Sequence, residues 1–213
     1  GRTLEPGDPT MTTETSTLTT YITDMRALIN HGLKAIDRQA EQLRRRNQQT
    51  EALAAVHEFQ RVLRAHQTHL DARAGALGGK STRTLKDVVT TITGLAAALM
   101  GALRPEHTAK DIRDDYTFLS HMAIGYLMLH ATASGCGDGV TANLAEQGYR
   151  DMARLVMHID RIMPALVLRE LRKDGLPVGP ISEQSLMMVQ RAWDRETLYS
   201  GLGGEQTARG PAA

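Results

Sequence analysis

Apolar residues return at three- and four-residue steps along most of this chain, and the steps break at short polar, glycine or proline stretches. From Ser16 to Arg46, the series Leu18, Ile22, Met25, Leu28, Ile29, Leu33, Ile36 and Leu43 lays one apolar stripe along a helix. Ser16 or Thr17 is a candidate cap for its start, and Arg44–Arg46 complement the dipole at its end. The polar hinge Asn47–Thr50 reverses the chain into a second helix, Glu51–Leu77, striped by Leu53, Val56, Phe59, Val62, Leu63, Leu70 and Leu77 and ended by Gly78-Gly79. Two long helices joined by a tight turn predict an antiparallel hairpin. The segment Leu85–Leu103 is helical in pattern, nearly free of charge after Asp87, and closed by Pro105; it is long enough to cross the bundle.

A second hairpin follows. Its first helix, Thr108–Ser134, turns Ile112, Phe118, Leu119, Met122, Ala123, Tyr126 and Leu129 inward. The knot Gly135–Gly139 supplies the turn. Its second helix, Thr141–Leu171, carries Leu144, Met152, Leu155, Val156, Ile159, Ile162, Met163 and Leu166, with Pro164 predicting a kink or break. Beyond Leu176–Pro180, an amphipathic helix over Ser182–Tyr199 carries Leu186, Met187, Val189, Trp193 and Leu198, suited to docking on the bundle or on a second subunit. The expected plan is all-α: a four-helix bundle over residues 16–176, built from two antiparallel hairpins and a helical crossover, then a linker and C-terminal helix over 177–200. Residues 1–15 read as a disordered segment or a tag remnant, with Met11 as a candidate natural start, and 201–213 as a disordered tail.

Composition narrows the function classes. Aromatics are only 4% of residues, so the core is built from aliphatic side chains, alanine and methionine, which favours close helix packing. A formal charge of +1 offers no field that would draw the protein to nucleic acid, and no segment is apolar enough over about 20 residues to span a membrane. Cys136 is the single cysteine, which excludes an internal disulfide and fits a reducing cytoplasm; no secretory signal is visible.

The stretch Asp115–Tyr126, followed by Gly137-Asp138 and Thr141-Ala142, resembles the YciE/YciF-type ferritin-like family. Tyr21-Ile22-Thr23-Asp24 and His66-Gln67-Thr68-His69 extend the resemblance over about residues 16–171. It implies a ferritin-like four-helix bundle with a di-iron centre. The family's ligand positions fall on Ile29 in the first helix, near Gln67 and Asp71 in the second, on Leu119 and Met122 in the third, and on Asp151 and Met152 in the fourth. Bridging two irons requires carboxylates that neutralise their charge, and most of these residues are apolar. Independently of that matching, the core positions of the first, third and fourth helices carry no Asp or Glu. Asp37, Glu41, Asp114, Asp160 and Glu170 fall off the stripes.

Other chemistry is sparse. His66 and His69, at i and i+3, share a helix face and are weak candidates for a single metal, with His121, His130 or His158 as further ligands. His31 lies beside the first core stripe. Cys136 between glycines is better read as a turn thiol than a nucleophile, and Gly135–Gly139 lacks the Lys-Ser/Thr of a phosphate loop. No cofactor is expected, and no ferroxidase or oxygenase ligand set is present, which leans away from an enzyme. The leading expectation is a non-catalytic scaffold or protein-interaction module, a stress-related role being one reading, that forms a homodimer and contacts a partner through the C-terminal helix. The alternative uses the vacated interior as an apolar pocket lined by Ile29, Leu119, Met122 and Met152, with Gln67, Asp71, Asp151 or His66 as polar contacts.

Overall fold

A computed structural model describes residues 9–46, 51–78, 107–179 and 183–194, with side chains from Thr15 onward. Every element among the described residues is helical: α1 (Pro9–Arg45), α2 (Glu51–Ala76), α3 (Thr108–Gly135), α4 (Gly139–Lys173) and α5 (Glu183–Ala192). The Asn47–Thr50 hinge, the Leu85–Leu103 crossover, Leu198 and the tail lie outside the described residues. None of the described helices is long and apolar enough to cross a membrane.

Helix α1 begins at Pro9, well before the expected caps at Ser16 and Thr17, so part of the segment expected to be disordered is helical. Proline suits a first helical turn because its missing N–H is one that the helix leaves unbonded anyway. The Ser/Thr-rich stretch behind it joins the helix by back-bonding. The hydroxyls of Thr19, Thr20 and Thr23 donate to the carbonyls of Thr15, Ser16 and Thr19 at 2.8, 2.9 and 2.7 Å. Helix α4 likewise runs two residues further at each end than its periodicity suggested.

The chain divides into two compact units, residues 1–159 and 160–213. In the first, α1 packs on α2 and on α3. The α1–α2 rim pairs Arg26 with Asp71, Asn30 with Gln67, and Asp37 with Gln60 and Arg64, so these helices run antiparallel. On the other side Gln39 meets Asp115, Gly32 meets Phe118 and Met25 meets Gly125, again antiparallel. Helix α4 reaches α2 through His66–Asp151 and Arg73–Thr141, and α3 through Tyr126 on Gly148. Helices α2 and α3 are therefore parallel and start at the same end of the bundle, as do α1 and α4. The stripe residues of α1 and α3 are buried as expected, while Leu53, Leu77 and Leu144 sit half-buried at the margin.

The α3–α4 turn is locked from both sides. Gly137 adopts φ +71°, a conformation that disfavours any Cβ, and Asp138 caps α4 by accepting the Thr141 N–H at 3.0 Å and its hydroxyl at 2.6 Å. Arg73, near the end of α2, donates to both Asp138 and Thr141. Burial pushes the Asp138 carboxyl up, and these donors together outweigh it and hold it below the usual range.

In the second unit, α4 continues unbroken through Pro164 to Lys173, so the expected break does not occur. It ends in a left-handed Gly175, φ +81°, with the Leu176 N–H reaching back to the Leu171 carbonyl at 2.9 Å. Helix α5 buries none of its residues; Leu186, Met187 and Trp193, expected to dock, stay exposed in the chain taken alone.

Three helical glycines seat large side chains. A Cβ on Gly32 would overlap the Phe118 ring, one on Gly148 the Tyr126 ring, and one on Gly125 would come within 2.6 Å of Met25 Sδ. Gly75, also helical, faces open space. Opposite signs follow for one substitution. Gly148→Ala should destabilise by about 1–3 kcal/mol through overpacking, whereas Gly75→Ala should stabilise by about 0.5–1 kcal/mol through helix propensity. Urea denaturation of both variants reads the difference.

Candidate functional site

The level of the bundle at which the resemblance would place a metal is set by the contacts on either side of it. Ile29 lies between Met25 and Gly32, whose partners Gly125 and Phe118 bracket Met122. Met152 follows Gly148, the seat of Tyr126. Ile29, Leu119, Met122 and Met152 are all fully buried, as core residues. Gln67 and Asp71 do not join them. Asp71 is exposed and paired with Arg26, and Gln67 bonds Asn30; both lie on the α1–α2 rim. The reason is helical phase: residues 67 and 71 share a face that points along the α1 edge, about 100° from the face carrying His66. The expected pocket lining thus separates into a core set and a rim set.

A polar group does reach the interior beside these apolar positions. His66, only 3% exposed, bonds through Nε2 to Asp151 Oδ2 at 3.0 Å. Asp151 also accepts from Gln147 at 3.1 Å and Arg154 at 2.9 Å. Burial works to raise the Asp151 carboxyl, but the bonds from Gln147 and His66 and the neighbouring positive charge outweigh it, so the group lies below its usual range and is ionised at neutral pH. Burial lowers the His66 pKa against the pull of Asp151. A neutral His66 that donates its Nε2–H to a carboxylate keeps a bare lone pair on Nδ1. Beside it lies Tyr126, fully buried, ring centroids 5.3 Å apart, its hydroxyl pushed up by burial. His66 Nδ1 and Tyr126 OH, an acceptor and a donor, both lack a hydrogen-bond partner among the described residues.

His69 is exposed, with its ring edge-on to His66 and the centroids 6.1 Å apart. His121 is exposed, and His31, His130 and His158 are half-buried. Among the described residues, no three His, Cys, Asp or Glu side chains are grouped so as to hold a metal. The residues present do not fit a di-iron centre: the interior level offers apolar side chains, and its one carboxylate, Asp151, is already committed to His66, Gln147 and Arg154. No family model, no curated protein and no solved structure matches this chain.

The expectation that no inward position carries an acid needs correction on α3, where Asp111 and Asp115 are buried. Asp115 accepts a hydrogen bond from Gln39 Nε2 at 2.8 Å. Burial, helped by the charges of Asp111 and Asp114, pushes its carboxyl up to about 8 against the Gln39 bond. Asp115 stands three residues after Ile112 and four before Leu119, squarely on the stripe. Periodicity alone would have placed it inward; its charge argued the other way.

Two measurements follow. Unfolded, Asp115 gives up its proton near pH 3.8, whereas the fold holds it to about pH 8, so this residue makes stability fall as pH rises through that window. Asp115→Asn should therefore match the parent near pH 4 and exceed it at pH 8 by about 1 kcal/mol or more, in urea midpoints at the two pH values. Tyr126→Phe removes a buried hydroxyl without a partner among the described residues and should raise stability by about 1 kcal/mol; a fall of that size would mean the hydroxyl is bonded in solution.

Proposed function

We propose that this chain is a ferritin-like bundle of the YciE/YciF type in which a packed apolar core occupies the place of the metal site, and that it acts as a non-catalytic scaffold or interaction module through self-association. The helix directions support the fold reading: α1 and α4 run one way, α2 and α3 the other, the arrangement that two hairpins joined by a crossover produce. The apolar side chains at Ile29, Leu119, Met122 and Met152 support the loss of metal chemistry, since burying them avoids the desolvation cost of inward carboxylates.

The observation that carries the interaction reading is on the outer face of α3. Ile124, Leu127 and Met128, spaced i, i+3 and i+4, form one contiguous apolar stripe and are 55%, 48% and 49% exposed. Isolated exposed apolar residues are ordinary; a run on one face of a bundle helix marks a contact surface. A formal charge of +1 leaves little repulsion between copies, which favours a second copy as the partner.

A second reading, a small polar guest in the interior, is favoured by the unpartnered His66 Nδ1 and Tyr126 OH.

Light scattering after size exclusion tests the first reading. The parent chain should run at twice its 23.3 kDa mass. Ile124→Glu with Leu127→Lys should weaken association by about tenfold or more, with helicity unchanged by circular dichroism. A monomeric parent at micromolar concentration would sink it.

A further inference from the structure

In the second unit, one face of α4 and one face of α5 enclose a groove of about 430 Å³. Its wall is apolar, formed by Met163, Pro164, Val167, Met188 and Val189, with one acid, Asp160. The volume falls in the range of small-molecule sites, and thioether-rich walls adapt to flexible alkyl chains. Asp160 accepts a hydrogen bond from the Trp193 Nε1–H at 3.0 Å, and no ion pair of the described residues involves it. Pro164 lines the same groove and has no N–H, so the Asp160 main-chain carbonyl lacks its i+4 donor. Asp160 thus brings a negative charge to a wall whose other side chains are apolar except for Ser185.

We propose that this groove binds an apolar amine, with the alkyl portion against Met163, Val167 and Met188 and the ammonium at Asp160. A carboxylate on an apolar wall discriminates by charge. It favours a cation that can donate hydrogen bonds, is indifferent to a neutral molecule of the same length, and repels an anion. Burial raises the Asp160 carboxyl, and a bound ammonium reverses that cost. Trp193 touches the same carboxylate and is the only tryptophan of the chain, so its emission reports on the site alone.

The test uses the full chain with octylammonium, octanol and octanoate, binding being measured by calorimetry and located by Trp193 emission. Octylammonium should bind saturably and shift the emission, octanol should bind about tenfold more weakly, and octanoate more weakly still. In Asp160→Asn, which keeps an acceptor for the indole, octylammonium should fall to the level of octanol with helicity unchanged. The proposal is overturned if octanol matches octylammonium, if Asp160→Asn keeps the preference for the cation, if binding leaves Trp193 emission unchanged, or if none of the three compounds gives heat.

Discussion

The bundle depends on how closely its helices approach where Tyr126 lies against the bare backbone of Gly148. That contact seats α3 against α4 at one point, and it places a large polar-tipped ring in a core made mostly of aliphatic chains. Because the ring fills the middle of the bundle, its hydroxyl ends up away from water, and His66, across from it on α2, is forced into the same dry environment. The histidine answers by staying neutral and handing one N–H to Asp151. The Phe118–Gly32 contact repeats the device between α3 and α1. Close approach at small residues compensates for a sequence poor in aromatics, since few large side chains are available to fill wide gaps.

A polar pair inside such a core is a specificity device more than a source of stability. Replacing His66 and Asp151 together by apolar side chains would cost little, whereas removing one would strand the other. The pair ties α2 to α4 at a fixed register, and Arg73 does the same at the α3–α4 turn, where it bonds both Asp138 and Thr141. Between them, these links fix two helices that are not consecutive in the chain. They hold the bundle's topology, while the exposed ion pairs such as Arg61–Glu58 and Arg150–Glu146 add solvated polar surface and little stability.

The apolar stripe of α3 and the groove between α4 and α5 are suited to different chemistries. The first is a flat aliphatic surface suited to a like surface. The second combines an aliphatic wall with a single acid. Neither uses the bundle's interior, which is packed with buried apolar side chains.

Most of the helical layout was legible from periodicity, because an amphipathic helix writes its buried face into every third or fourth residue. The α1 and α3 stripes and the Gly135–Gly139 turn could be read that way, and so could the apolar character of Ile29, Leu119, Met122 and Met152. The helical start at Pro9 was hidden by Thr and Ser residues, whose back-bonding to the preceding turn leaves no signature that distinguishes it from capping. Which polar residues would be buried was a tertiary decision. Gln67 and Asp71 lie close in sequence to His66, yet only His66 turns inward, because a single helical step of about 100° separates rim from core. Asp115 went inward because Gln39 stands opposite it on another helix, a partner separated from it by most of the first half of the chain. The sequence alone determined the helices and their apolar faces; only the packing decided which charged and polar groups those faces would have to accommodate, since that depends on what each group meets across the bundle.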